Sequence, residues 1–228
     1  MFGEVKLQQG SLEWKEFRRK RIAASDVPII MGVSPYKTPY ELAMEKLNLK
    51  KDENYNRAMQ LGHQFEPKIR ARVEIDLNKG FPDLVLYKKD IPWQMASLDG
   101  YNTESAEFLE IKYMGEKNLE EVKKNGPLDY HKPQLEMQFH VTGAKKAYYI
   151  PYTLDKEQKN ITKLEIIPIA PEIIPRKEML LAIGAFYKLV ILDQELPEPC
   201  ERDFFDVNNP DLVLAAEEFI RVNAQYND

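Results

Sequence analysis

The residues of this chain best suited to chemistry are an acid closing one apolar run and an acid-plus-lysine pair on the next. They are Asp99, in Ser97-Leu98-Asp99-Gly100, and Glu110 with Lys112, in Phe108-Leu-Glu-Ile-Lys. Alternate side chains of a strand share a face, so Glu110 and Lys112 point together while Ile111 turns into the core behind them. Carboxylate oxygens in this arrangement suit Mg²⁺ or Mn²⁺, hard ions that bind through one or two carboxylates and keep sites for water and phosphate oxygens. The chemistry implied is attack of an activated water on phosphorus, with Lys112 orienting or deprotonating that water. Glu-x-Lys alone says little, because it also occurs at Glu4, Glu13, Glu66, Glu121 and Glu157. The apolar strand context and the upstream Asp-Gly turn set Glu110 apart, and on those two features an edge-strand salt bridge remains an open alternative.

Positioning these groups requires strands held by helices. Asp83 to Tyr87, Gln94 to Leu98 and Phe108 to Tyr113 are β-type runs separated by Asp90-Ile-Pro and Asp99-Gly-Tyr-Asn, and they read as a meander. Ser11 is placed to cap a helix over Leu12 to Lys20; further short helices are expected after Ser25-Asp26 and after Thr38-Pro39. Between Arg57 and Ile75 the residues Leu61, Phe65, Ile69 and Val73 recur at every fourth position, one stripe of a helix. Pro67 should start or kink that helix, since it lacks the donor an interior turn uses. Helices are expected over Glu116 to Lys124, Pro133 to Thr142, Pro171 to Leu192 and about Asp211 to Gln225, and strands over Ala147 to Tyr152 and Leu164 to Ile169. The fold class is therefore α/β (α+β), a central mixed sheet flanked by helices. No repeat or linker divides the chain, so a single domain over 1–228 is expected, its motif-bearing core at about 9–170 and C-terminal helices at 171–228.

Composition narrows the classes. With Cys200 the only cysteine, disulfides and cysteine-built metal centres within one chain are excluded. No signal peptide or apolar run of membrane-spanning length occurs, which predicts a soluble protein of the cytoplasm, bacterial or of a phage-infected host, with no membrane partner. A formal net charge of −5 argues against a protein that merely coats nucleic acid. It leaves room for a nuclease, whose carboxylates lose their mutual repulsion when a cation arrives. The basic run Lys15, Arg18, Arg19, Lys20 and Arg21 reads first as a solvated helix face. The histidines His63, His131 and His140 lack metal-ligand spacing, Trp14 is expected to pack the first helix onto the sheet, and Tyr148, Tyr149 and Tyr152 are expected in the core.

Taken together, Glu13-Trp14-x(6)-Arg21-Ile22-x-x-Ser25, Gly62-x-x-x-Glu66-Pro67, Ser97-x-Asp99-Gly100, Glu110-x-Lys112 and Gln134-x-x-x-Gln138 resemble the phage lambda exonuclease/YqaJ family. That family belongs to the PD-(D/E)xK nuclease superfamily, and the likeness spans residues 9 to 152. The resemblance implies a 5′→3′ exonuclease that digests one strand of linear double-stranded DNA. It would work as a homotrimeric ring and leave a 3′ tail for a single-strand annealing protein in recombination. It also implies Mg²⁺, for which Mn²⁺ may substitute, as two ions held by Asp99, Glu110 and the backbone carbonyl of Ile111. By the same resemblance Lys112 acts on the water, Glu66 completes the acidic cluster and Gln134 touches the water or the lysine. Arg21, Ser25 and Ser97 would grip the 5′-phosphate. Leu98 stands where the superfamily name has proline, a position that supplies no ligand. Met59 falls where the family places a strand-splitting wedge, although packing within the helix core is its expected role. Gln134 and Gln138 share a helix face that solvent exposure alone would explain. Two readings compete with the exonuclease: another PD-(D/E)xK enzyme, such as a structure-specific or restriction-type endonuclease, and a non-catalytic DNA-end-binding protein. A structural protein with a coincidental acidic cluster is the third.

Overall fold

The computed structural model describes residues 1–7, 11–50, 57–204 and 218. The expected helix at 211–225 lies outside the described residues apart from Glu218. Met1–Pro197 forms one compact unit and Glu198–Asp228 a second. Of the second unit, a single 3₁₀ turn over Glu201–Asp203 is described, in which the Cys200 amide donates to Asp203 Oδ2 at 2.7 Å and Cys200 itself is exposed.

The first unit opens with strand β1 (Phe2–Glu4), helix α1 (Leu12–Arg19), the two-residue strand β2 (Ile22–Ala23) and a 3₁₀ turn (Ala24–Asp26) that runs into α2 (Val27–Ile30). Ser11 caps α1 by accepting the Trp14 amide at 3.1 Å. α3 (Pro39–Lys46) starts on a reciprocal box, Thr38 Oγ1 accepting from the Glu41 amide and Glu41 Oε2 from the Thr38 amide. α4 (Arg57–Leu77) runs unbroken through Pro67. The bond Pro67 would have donated to the His63 carbonyl is missing, but the stripe Leu61, Phe65, Ile69 and Val73 is buried on both sides of it. At roughly 1.5–3 kcal/mol per buried side chain, the stripe outweighs one lost hydrogen bond.

The strands divide into two mixed sheets rather than one meander. β3 (Leu84–Lys88) and β4 (Ile91–Leu98) form an antiparallel hairpin, with β1 antiparallel on β3 and β2 parallel on β4, in the order β1-β3-β4-β2. The chain then leaves this sheet at Asp99. Where a turn was expected it forms strand β5 (Gly100–Asn102), which folds back antiparallel on β6 (Glu107–Tyr113) with Gly100 opposite Leu109. β6 therefore belongs to the second sheet, ordered β5-β6-β7-β8 with β9 on β7. β7 (Lys146–Leu154) runs parallel to β6, a pairing that needs a crossover; α5 (Glu116–Asn125) and α6 (Lys132–Thr142) supply it. β8 (Ile161–Leu164) and β9 (Ile167–Ile169) are antiparallel to β7.

Alternation along β6 and β7 decides which helix covers which face. Leu109, Ile111, Tyr148, Ile150 and Tyr152 meet the α4 stripe. Phe108, Ala147 and Tyr149 meet Leu135, Met137 and Phe139 of α6, with the Phe108 and Phe139 rings 4.8 Å apart. Phe17, rather than Trp14, packs α1 toward the first sheet, beside Val5 and Tyr87. α7 (Arg176–Phe186) starts later than the expected Pro171 and continues into a π turn at Tyr187–Leu192. The cause is Glu136, a fully buried carboxylate on α6. It accepts the Glu172 and Ile173 amides at 2.9 and 3.0 Å and Arg176 Nε at 2.6 Å, and so holds the preceding segment out of helix.

Candidate active site

Asp99 sits where the chain crosses from the first sheet to the second. Its Oδ2 accepts the Ile111 amide at 2.7 Å, tying the end of β4 to the middle of β6. Gly100 makes the crossing possible: a Cβ there would come within 2.8 Å of the Phe81 Cβ and carbonyl oxygen and 3.1 Å of Leu109. We expect Gly100→Ala to destabilise the fold by about 1–3 kcal/mol, read as a lower denaturant midpoint in equilibrium unfolding.

Glu110 and Lys112 share the face of β6 turned to α6. The buried Glu110 carboxylate is held by three donors: Lys112 Nζ and Gln134 Nε2 on Oε1, at 2.5 and 2.7 Å, and Gln138 Nε2 on Oε2. Gln134 turns its own oxygen to Lys112 Nζ at 3.2 Å, closing a triangle of acid, amide and ammonium. Gln138, which the sequence left as a polar stripe residue, is buried and bonded to the acid. Glu66 approaches from α4, partnered by Arg70 at 3.8 Å and His63 at 3.9 Å.

The charges of these groups act on one another. Desolvation, and then the Glu110 and Glu66 carboxylates, hold the Asp99 carboxyl well above its ordinary range. Glu66 is raised by burial and by Glu110 and Asp83, against the pull of Arg70 and His63. Burial disfavours the Lys112 cation, but Glu110, Asp99 and Glu66 overcome it and the ammonium is held more firmly than usual. Such a cluster concentrates acidic groups around the Lys112 ammonium, with Arg70 answering Glu66 at its α4 side.

Among the described residues no group of three or more His, Cys, Asp or Glu side chains is drawn together as a closed metal cage. The donor set nonetheless fits a hard divalent ion of the Mg²⁺ type, which needs few protein ligands. In an extended strand the N–H and C=O of one residue point to the same edge. The bond from the Ile111 amide to Asp99 therefore sets the Ile111 carbonyl on the Asp99 side of β6, away from β7. Asp99, Glu110 and that carbonyl would hold the ion.

The other residues singled out in the sequence lie in several places. Ser25 accepts from Arg18 Nη2 at 2.9 Å, and Arg18 also reaches Asp26 Oδ1 at 2.7 Å. Arg21 is engaged elsewhere: it stacks on the Phe17 ring at 3.5 Å and donates to the carbonyls of Phe17 and Pro92 at 2.9 and 3.1 Å. The structure thus sets Arg18, and not Arg21, against Ser25. Ser97 lies on β4 opposite Val85 of β3, and β4 runs parallel to β2, which ends two residues before Ser25. Met59 is 47% exposed on α4, outside the core it was expected to join. Of the histidines, His140 bonds Gln94 at 2.9 Å and His131 bonds Tyr149 at 2.6 Å.

The family model of the YqaJ-like viral recombinase domain matches residues 13–145, more than half of the 228-residue chain. The chain belongs to this family. The matched span of this YqaJ-like domain contains Arg18, Ser25, Glu66, Asp99, Glu110, Lys112, Gln134 and Gln138. Its fold is similar to that of the alkaline exonuclease LHK-Exo from Laribacter hongkongensis. Against the complex of that protein with dAMP the TM-score is 0.64 at 24% identity, over 80% of this chain and 94% of the other. Without dAMP the TM-score is 0.61 at 23% identity, over the same shares. A putative exonuclease from Eubacterium rectale gives a TM-score of 0.51 at 14% identity, over 91% and 98%. At these identities the likeness is one of fold. No curated protein matches the chain.

Proposed function

We propose that this YqaJ-like domain is a divalent-metal-dependent 5′→3′ exonuclease that digests one strand of linear double-stranded DNA and leaves a 3′ single-stranded tail for an annealing protein. Mg²⁺, replaceable by Mn²⁺, is the ion of this reading, and a homotrimeric ring is its assembly. The unit Met1–Pro197 carries the activity. The observation that carries the reading is the bond of Asp99 to the Ile111 amide, which brings an acid from one sheet beside Glu110 and Lys112 on the other. Membership in a viral recombinase family and the exonuclease fold of its structural neighbours support it.

A divalent cation bound there would supply Lewis-acid chemistry, offsetting charge on the scissile phosphate and making water acidic enough to release its proton to bulk solvent. The chain's own residues do the rest. Asp99 and Glu110 hold the ion, and Gln138 fixes Glu110 from behind. Lys112, held cationic by its three acidic neighbours, donates to the attacking water or to a phosphate oxygen instead of removing a proton, while Gln134 keeps the ammonium in place. Glu66 adds negative charge at the α4 side of the cluster. Arg18 and Ser25, with Ser97 alongside, form the site for the terminal 5′-phosphate: a forked cation and hydroxyls suited to a phosphoryl group. A site for a terminal phosphate favours an end-directed enzyme over an endonuclease.

The test is digestion of duplex DNA labelled at either end, with Mg²⁺ and a covalently closed circle as companion substrate. Stepwise loss of the 5′-ended strand with the circle intact is the expected result. Arg18→Lys should narrow the preference for 5′-phosphorylated over 5′-hydroxyl ends by about tenfold, because an ammonium cannot reproduce the forked contact. Cutting of the circle would transfer the site to an endonuclease, and ends bound but uncut with Mg²⁺ and with Mn²⁺ would leave only an end-binding protein.

A further inference from the structure

His131 stands outside the machinery described so far, yet it lies on the same face of α6. Residues 131, 134 and 138 are spaced i, i+3, i+7 and form one stripe directed at the β6–β7 pair. The second and third members bond Glu110. The first, at the N-terminal end of the helix, bonds through Nδ1 to the Tyr149 hydroxyl at 2.6 Å. Tyr149 is fully buried on β7, directly opposite Glu110 in the parallel register.

The partners fix the tautomer. His131 Nδ1 is the one hydrogen-bond partner of the Tyr149 hydroxyl among the described residues. Were Nδ1 protonated, the phenolic proton would be left without an acceptor in a buried site, at a cost of about 1–3 kcal/mol. The phenol therefore donates to Nδ1, and the ring proton resides on Nε2. That nitrogen has no partner among the described residues, and His131 is only half-buried. Burial, and then the charge of nearby Lys112, pushes the imidazole down to about 3, so the ring is neutral at working pH and donates without competing for the cation. Tyr130 packs edge-on against the ring, centroids 4.4 Å apart, and limits its rotation.

We propose that His131 is a substrate-binding residue of this site, a neutral donor locked by Tyr149 that presents Nε2–H to a phosphate oxygen of the DNA strand lying over Lys112. The inference rests on the nuclease reading above. It assigns to the outer end of the α6 stripe the contact with substrate that Gln134 and Gln138, committed to Glu110, do not make.

Full-length His131→Phe, His131→Gln and Tyr149→Phe would be compared with the unmodified protein on linear 5′-phosphorylated duplex, with thermal unfolding as a folding check. His131→Phe should lower kcat/KM by about 10- to 100-fold, the kinetic equivalent of one hydrogen bond to a charged oxygen. His131→Gln, which keeps an N–H donor, should recover part of it. Tyr149→Phe should retain the ring but lose activity through a mixed tautomer. Long-range ¹⁵N–¹H spectra, assigned by the signal missing in His131→Phe, should show Nε2–H in the unmodified protein and a mixture in Tyr149→Phe. An unmodified protein that cuts, together with a folded His131→Phe variant that cuts equally fast, overturns this inference and leaves the nuclease reading intact. An Nδ1–H tautomer overturns it as well. An unmodified protein that never cuts sinks the nuclease reading instead, and the tautomer spectrum still reports whether Tyr149 fixes the ring.

Discussion

Asp99→Asn is expected to remove metal-dependent cleavage, by on the order of 10³-fold, while making the metal-free protein more stable. The two effects have one origin. The asparagine oxygen can still accept the Ile111 amide that Asp99 accepts at 2.7 Å, so the crossing between the sheets is preserved. What disappears is the negative charge that burial opposes and that Glu110 and Glu66 oppose further. A carboxyl whose folded value is raised binds its proton more tightly in the native state than in the unfolded chain. Its contribution is therefore present at low pH and is lost as the pH rises through the carboxylate range toward the raised value. Without metal, the unmodified protein should lose stability over that interval, and Asp99→Asn should lose less. Denaturant titrations at several pH values with and without Mg²⁺, beside a strand-digestion assay, measure both sides. An Asn variant that still digests DNA would remove Asp99 from the metal site. One that is less stable than the unmodified protein at neutral pH would show that the amide bond, and not the charge, is the residue's main contribution.

The parts of this site legible in the sequence depend on a local period. Two-residue alternation places Glu110 and Lys112 on one face of β6 whatever the rest of the chain does, and the four-residue stripe of α4 survives Pro67 because its burial does not depend on one backbone bond. The parts not legible depend on where distant segments meet. Asp99 reads as a turn between neighbouring strands of a meander; the structure uses it to leave one sheet for another, because β5 finds its partner in β6 and not in β4. Periodicity puts Gln138 beside Gln134 but cannot say whether their face meets water or Glu110, and the β6–β7 crossover decides that. Arg18 and Arg21 are alike as basic residues near the end of α1. Only the fold of the 3₁₀ turn, which brings Ser25 and Asp26 back over the helix, sends one guanidinium to Ser25 and leaves the other on Phe17.

That turn is the subject of the second large effect. Asp26 is 1% exposed and receives Arg18 on Oδ1 and the Lys46 ammonium and the Ala23 amide on Oδ2, at 2.7, 2.7 and 3.0 Å. Lys46 is buried as well and spends its other protons on the carbonyls of Arg18 and Arg21. Burial alone would raise the Asp26 carboxyl, but Lys46, Arg18 and the hydrogen bonds outweigh it and bring it down to about 2. A carboxyl lowered in this way stabilises the fold above its unfolded value of about 3.9, and the contribution is lost as the pH falls through about 2. Replacing Asp26 by Asn keeps an acceptor for the Ala23 amide but strands Lys46 as a buried, uncompensated cation. We expect Asp26→Asn to cost about 3–5 kcal/mol, measured by urea unfolding at neutral pH. The double change Asp26→Asn with Lys46→Met should recover much of that loss, because it removes the orphaned charge. The two variants also separate folding from function. If Asp26 serves end recognition by aiming Arg18 at Ser25, the rescued double variant regains stability without regaining its preference for 5′-phosphorylated ends. Recovery of both together would show that Arg18 finds its place without Asp26.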